Sequence, residues 1–140
     1  MSARSRILPL VVSISAAALA GCETTAPAEP PKGGAGLVSK GLMRSDLAGA
    51  EDTEVIVSHV TIPPNTTLPM HWHPGEEFAY VLEGTVTLLQ TGKPDVAGKE
   101  GDVVKVPFKQ VHTASTGGEG VTLLVFRVHE KGQPERVMVK

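Results

Sequence analysis

Short strand-like segments separated by turns are the feature that most constrains the fold of this chain. Residues 54–62 are rich in β-branched side chains and end at Pro63 and Pro64, which cannot continue a central strand. No stretch carries the apolar stripe of an amphipathic helix. Further strands are predicted at residues 68–73, 77–82, 85–90, 102–106, 110–115 and 121–129, with a hairpin turn at Glu83 and Gly84. This pattern predicts an all-β sandwich or barrel.

Two histidines lie in the second of these segments. His71 and His73 are two residues apart, so on a strand both side chains point to the same face. Pro74 and Gly75 form a turn signal, which brings Glu77 back beside the two histidines on the next strand. Two adjacent strands can therefore present two imidazoles and a carboxylate to one metal ion.

A third histidine, His112, lies in a later strand-like segment. Three imidazoles and one carboxylate suit a first-row divalent metal, with positions left open for chemistry. Glu76 has the opposite strand parity and is expected to face solvent or a neighbouring strand, so Glu77 is the expected carboxylate ligand. His59 and His129 are left unassigned, because a lone histidine is more often structural than a ligand.

The spacing of these residues resembles the two sequence motifs of the cupin superfamily. The matching positions are His71, His73, Glu77 and Gly84 in the first motif, and Gly101, Pro107 and His112 in the second. Three positions depart from the pattern. Asn65 and Lys109 stand where the motifs have glycine, and Thr116 stands where the second motif has asparagine. These departures concern turns and leave the ligand positions intact.

The resemblance implies a small, single-domain cupin of the conserved-barrel type, an all-β jelly-roll barrel with the metal in its mouth. Its ligands are expected to be His71, His73, Glu77 and His112. Iron, manganese, nickel and copper are all compatible with this set, whereas zinc prefers fewer ligands. Small cupins with such ligands resemble metal-dependent dioxygenases of the quercetinase type, which act on enolic or phenolic substrates.

By that resemblance, Glu77 is also the expected proton acceptor when a small-molecule substrate binds. Two other functions stay open at this point. The same site can bind a metal or a small acid without turnover, or the barrel can be a structural metal protein of the envelope. The fold alone does not separate these functions.

The N-terminal residues 1–21 resemble the signal peptide of a bacterial lipoprotein. Arg4 and Arg6 precede an apolar stretch at residues 7–20, and small residues stand directly before Cys22. Cys22 is therefore the predicted lipidation site, which would tether the chain to a membrane of the cell envelope. An ordinary signal peptide and an uncleaved membrane anchor are the alternatives.

Residues 22–36 are predicted to be a flexible linker, because they are rich in proline and glycine and lack large apolar side chains. Residues 37–140 remain as one domain of ordinary size. Removing residues 1–21 takes away two arginines and no acidic residue, which leaves 11 basic against 15 acidic side chains. That balance and the lack of a basic cluster argue against nucleic-acid binding. The single cysteine, once lipidated, leaves no disulfide and no thiolate nucleophile.

Strand parity also predicts which side chains face the site. Ala79 and Val81 share the face of Glu77, whereas Gln110 and Ala114 share the face of His112. The facing of His59 cannot be assigned. The outward face is predicted to carry Trp72, Phe78, Tyr80 and Leu82. There they would pack against another layer or a second copy of the chain, which makes a homodimer a candidate assembly.

Overall fold

The computed structural model describes residues 36–140. Within this range the chain forms nine strands and no helix, which confirms the all-β prediction. The strands are β1 (Val38–Asp46), β2 (Thr53–Ile62), β3 (His71–Trp72), β4 (Gly75–Gln90), β5 (Val96–Lys99), β6 (Val103–Val106), β7 (His112–Ser115), β8 (Val121–Glu130) and β9 (Val137–Met138). No segment of the described range is a helix long and apolar enough to cross a membrane. The predicted signal peptide, Cys22 and the linker up to residue 35 lie outside the described residues.

Two antiparallel sheets share the long strand β4 and curl into a jelly-roll barrel. The first half of β4 pairs with β8 on one side and β6 on the other, and β2 and β1 continue this first sheet beyond β8. The second half of β4 pairs with β5 and β7, and β3 and β9 continue the second sheet beyond β7. The strand order from edge to edge is β1-β2-β8-β4-β7-β3-β9.

The predicted hairpin at Glu83 and Gly84 is wrong, because β4 runs unbroken through both residues. The pairing of β4 with β8 shifts register between Val81 and Glu83, and Gly84 has a φ of 80°. A Cβ atom at Gly84 would stand 2.3 Å from the carbonyl oxygen of Gly120. The glycine therefore allows a bulge and a close backbone contact where β4 passes from one sheet to the other.

Apolar side chains from both sheets fill the barrel. Ile62, Val81, Leu88, Leu123 and Val125 belong to one buried cluster. On β4, Tyr80 and Leu82 flank the buried Val81 and are 42% and 40% exposed. This confirms the prediction that these two side chains face outward. Their packing against a second copy of the chain stays a prediction.

The three positions that depart from the cupin motifs keep the turn geometry in different ways. Asn65 and Lys109 both adopt the left-handed backbone region, with φ of 52° and 55°. Asparagine enters this region more readily than most residues, whereas lysine does so at a cost. The hydroxyl of Thr116 donates to the carbonyl oxygen of Pro63 at 2.6 Å and accepts from the amide of Thr66 at 3.0 Å. Thr116 thus fastens the loop that precedes the first histidine.

Strand boundaries differ most from the prediction at the edges of the sheets. The first ligand segment, predicted at residues 68–73, is a strand only at His71–Trp72. The structure adds β1, β5 and β9, which the sequence pattern did not reveal. Strand β9 lies beside β3, with Met138 opposite His71. The C-terminal residues therefore complete the sheet that carries the first two histidines.

Candidate metal centre

Three histidines converge at one end of the barrel. His71 on β3 lies directly opposite His112 on β7, and His73 follows β3 at the turn into β4. Their rings stand 4.5 to 5.1 Å apart between centroids. Each of the three residues is at most 6% exposed. The sequence prediction that these three side chains meet is confirmed.

Backbone carbonyls orient all three imidazoles in the same way. The Nδ1 atoms of His71 and His112 lie 2.8 Å from the carbonyl oxygens of Pro69 and Gln110. Nδ1 of His73 lies 2.5 Å from the carbonyl oxygen of Glu135. Because a carbonyl oxygen only accepts, each Nδ1 carries the proton and donates it. Each Nε2 of a neutral ring is then left with its lone pair, as in metal-binding histidines whose other nitrogen is held by the protein.

The dimensions of the cluster are close to those of a site for one metal ion. The ligand nitrogens of the three histidines lie within 4.8 Å of one another. Metal–nitrogen bonds are about 2.0–2.1 Å long, so the nitrogens would have to move together by a few tenths of an ångström, to at most about 4.2 Å, to share one ion. Nε2 of His73 is buried and has no hydrogen-bond partner within the described residues. A buried nitrogen without a partner is costly, and a metal ion would satisfy it.

Burial keeps the imidazoles in the form that binds metals. It lowers the pKa of His71 to about 4, against a weaker opposing effect of the bond to Pro69. Burial also lowers the pKa of His112, although the charge of Glu77 raises it in part. His71 and His112 are therefore neutral at pH 7, and no proton has to leave these two rings before a cation binds.

Glu77 lies at the edge of the cluster and is bound to an arginine. Its Oε2 accepts a hydrogen bond from Nε of Arg127 at 2.7 Å and lies 3.1 Å from Nε2 of His73. The latter distance is short, but the two atoms do not have the geometry of a hydrogen bond. Burial raises the pKa of Glu77, yet the positive charge of Arg127 beside it acts in the opposite direction, and that pKa lies well below the usual range. The carboxylate is therefore ionised.

The other predicted positions divide between the cavity and its surroundings. Glu76 faces outward, as predicted, and pairs with Lys105 at 2.9 Å. Ala79 and Ala114 line the cavity, as strand parity predicted. The prediction for Gln110 is wrong, because this residue precedes β7 and does not line the cavity. Its side-chain amide instead donates to the carbonyl oxygens of residues 91 and 111. His59 is half-buried and lies outside the cavity lining.

His129 has a structural place in the fold. It is 1% exposed, and its Nε2 lies 3.2 Å from the carbonyl oxygen of Pro134. Its Nδ1 lies 3.5 Å from Oε1 of Glu54, which Arg44 contacts at 2.6 Å. This group stands apart from the three clustered histidines.

Three charged residues of the centre were not identified from the sequence: Arg127, Glu135 and Arg136. Arg127 continues the inward series Val121, Leu123 and Val125 on β8. Arg127 could have been identified from the sequence as a charged residue on the otherwise apolar face of a strand. Glu135 and Arg136 gave no such signal, because they precede the two-residue strand β9 and reach the cavity only through its pairing with β3.

A cavity of about 80 Å³ opens beside the histidines inside the barrel. Its inner wall is apolar and includes Val60, Leu88 and Leu123. Among residues 36–140, histidine supplies the only aromatic rings that line it. The centre thus combines three convergent imidazoles and an ionised carboxylate with space for a small molecule.

The profile of the family described as cupin domain matches residues 58–127, which is half of the chain. This chain belongs to the cupin family. Solved structures agree on the fold. The cupin-like protein from Thermotoga maritima MSB8 shares 23% identity at a TM-score of 0.60, over 82% of this chain and 89% of that protein. The search of curated proteins gave no match.

Two enzymes are also among the similar structures. The DMSP lyase DddQ from Ruegeria pomeroyi DSS-3 shares 24% identity at a TM-score of 0.62, over 74% of this chain and 51% of the lyase. A mutant of the Bacillus subtilis oxalate decarboxylase OxdC shares 19% identity at a TM-score of 0.55, over 61% of this chain and 24% of the decarboxylase. The chain thus spans about half the length of the lyase it matches, and at these identities the likeness concerns the fold.

Proposed function

We propose that this chain is a cupin that holds one divalent metal ion through His71, His73, His112 and Glu77, and that it binds a small molecule beside this ion. The observation that carries the proposal is the common orientation of the three imidazoles. Each Nδ1 is held by a backbone carbonyl, so in a neutral ring each Nε2 keeps a lone pair for a metal ion. Iron, manganese, nickel, copper and zinc stay candidate metals.

Glu77 is the proposed fourth ligand because its ionised carboxylate lies beside Nε2 of His73. The same carboxylate is also bound by Arg127 at 2.7 Å. A metal ion would therefore share this carboxylate with the arginine or take it over. The adjacent Glu76 offers a matched control, since it pairs with Lys105 on the outside of the barrel.

Elemental analysis of the purified full chain tests the metal site. We expect about one divalent metal per chain in the wild type and in Glu76→Gln. In Glu77→Gln the content should fall after dialysis against a weak chelator, because loss of one ligand weakens the site. Equal metal retention in the two glutamate variants would remove Glu77 from the ligand set. Metal far below one per chain in the wild type would overturn the proposed function.

Catalysis of the dioxygenase type is the second candidate function. When bound, the metal supplies a Lewis acid with open coordination positions. The chain supplies a cavity with a largely apolar inner wall that could hold a small enolic substrate. Glu77 would accept the substrate proton, as the resemblance to quercetinase-type cupins implies, but its lowered pKa makes it a weak base. That observation favours binding without turnover over catalysis through Glu77.

Oxygen uptake by the metal-loaded full chain separates the two functions. The panel would contain small enols, catechols and thiols, each tested with iron, manganese, nickel and copper. Uptake that disappears in His112→Ala supports the oxidoreductase. No uptake with any metal, together with saturable binding of a small molecule, supports the non-catalytic module. The similarity to a lyase and a decarboxylase adds a third assay, for breakdown of the same small molecules without oxygen.

Attachment to the cell envelope through a lipid on Cys22 is proposed from the sequence of the first 22 residues. Mass spectrometry of the N-terminus would find a diacylated or triacylated Cys22 in the membrane fraction. The Cys22→Ala variant should lose the lipid. An intact Met1 in the native protein would contradict this part of the proposal.

A further inference from the structure

The cavity is divided along the strands into a charged end and an apolar end. On β8, Arg127 follows Val125 by two residues and therefore shares its inward face. On β4, Glu77 precedes Ala79 in the same way. All of these side chains line the cavity. Since β4 and β8 pair Glu77 with Arg127 and Ala79 with Val125, charged and apolar layers succeed each other inside the barrel.

The charges of the lining cancel when no cation is bound. Two arginines and two glutamates line the cavity of the described domain: Arg127, Arg136, Glu77 and Glu135. Arg127 lies 2.7 Å from Glu77 and 3.6 Å from Glu135, and Glu135 is also 2.6 Å from Arg44. Burial and the nearby charge of Arg127 both lower the pKa of Arg136. The two arginines are thus close enough for their charges to interact.

A divalent ion among neutral histidines would add two positive charges to this balanced set. Glu77 would then be shared between the ion and Arg127. The charged end of the cavity would be left with an excess of positive charge next to an apolar wall, where water screens poorly. A neutral ligand leaves this excess in place, whereas an anion removes it.

We propose that the metal-loaded site binds a small organic anion, a carboxylate of a few carbon atoms, with its charged group at Arg127 and Arg136 and its apolar part toward Ala79 and Val125. The inference rests on the proposed metal site and names the class of molecule that this site takes. Guanidinium groups match carboxylates in shape and charge. The cavity of about 80 Å³ limits the ligand to a few heavy atoms beyond the carboxylate.

Isothermal titration calorimetry on the full chain tests the inference. The protein is loaded with one equivalent of Zn²⁺, and its metal content is measured before each titration. The probes are propionate and malonate, with propionamide as a neutral molecule of nearly the same shape as propionate. We expect both anions to bind at least about tenfold more tightly than propionamide, because charge-assisted hydrogen bonds are roughly twice as strong as neutral ones.

Arg136→Gln and Lys105→Gln form the matched pair of variants, since each removes one positive charge. Lys105 pairs with Glu76 on the outside of the barrel and does not line the cavity. Arg136→Gln should weaken propionate binding about tenfold and leave the zinc content unchanged, whereas Lys105→Gln should change neither. Arg136→Lys keeps the charge and should retain the preference for anions. It is the control that separates loss of the charge from a folding defect in Arg136→Gln.

Failure of this inference is distinguishable from failure of the proposed function. A chain that takes up zinc but binds propionamide as tightly as propionate overturns the anion site and leaves the metal site intact. Equal effects of Arg136→Gln and Lys105→Gln also overturn it. A chain that takes up no zinc overturns both, because the excess of positive charge depends on the ion.

Discussion

Two groups of charged and polar residues in this barrel share the order arginine, glutamate, histidine. In the metal centre, Arg127 lies 2.7 Å from Glu77, which lies 3.1 Å from His73. In the second group, Arg44 lies 2.6 Å from Glu54, which lies 3.5 Å from His129. Glu135 contacts both arginines and so joins the two groups.

The difference lies in what surrounds the histidine. His73 stands beside two further imidazoles, with ring centroids 5.0 and 5.1 Å away. His129 has no such neighbours in the described range, and one of its nitrogens faces the carbonyl oxygen of Pro134. A buried histidine beside a carboxylate is therefore not enough to indicate a metal site, whereas three convergent imidazoles form a group that could hold a metal ion.

The largest expected effect comes from removing a clustered histidine. His73→Ala should weaken binding of Zn²⁺ more than about 100-fold, because loss of a ligand exceeds the effect of losing an outer-shell partner. Competition with a chromogenic chelator measures the affinity. His59→Ala, which removes a half-buried histidine outside the cavity, should leave the affinity unchanged. Equal affinities in the two variants would sink the cluster as the binding site.

Removing the histidine of the second group should affect stability instead. His129→Ala should lower the free energy of unfolding by about 3 kcal/mol, because it leaves a cavity and removes a polar neighbour of the buried Glu54. Its zinc stoichiometry should remain that of the wild type. Urea denaturation and elemental analysis on the same sample check both statements. Loss of metal without loss of stability would reverse the roles of the two groups.

The pH dependence of the metal-free chain tests the burial of neutral imidazoles. The pKa of His71 is lowered from 6.5 to about 4 by burial. Between these values the unfolded chain binds a proton that the folded chain does not, so stability decreases as pH falls. The expected loss from pH 7 to 4.5 is about 2–3 kcal/mol. Urea denaturation at several pH values should show a shallower slope in His71→Gln, and identical slopes would contradict the prediction.

The smallest effect concerns the two arginines. Arg127→Gln should strengthen zinc binding about tenfold, because Arg127 competes with the ion for Glu77 and repels it. Arg44→Gln should leave zinc affinity within about twofold of the wild type, since Arg44 pairs with Glu54 and Glu135 and not with the carboxylate of Glu77. The chelator competition used for His73→Ala measures both. Weaker binding in Arg127→Gln would show that this arginine supports the metal site.

Local sequence signals predicted much of the fold. The β-branched runs that became β2 and β8 were predicted to within one residue at each end. The signal at Glu83 and Gly84 misled, because a glycine after a polar residue reads as a turn but here forms a bulge in a continuous strand. Strand β1 escaped notice since its residues are mostly exposed and show no alternation.

The sequence by itself determined the positions of the three histidines and the common face of His71 and His73. A two-residue spacing on a strand and a following turn are local properties, so His71, His73 and Glu77 could be placed together without knowledge of the fold. Only the tertiary structure decided which arginines reach Glu77, that Glu135 orients His73, and that His129 stays apart. These contacts join residues 50 or more positions apart or depend on a C-terminal segment that folds back along β3. Sequence periodicity describes one strand at a time and carries no information about which strands become neighbours.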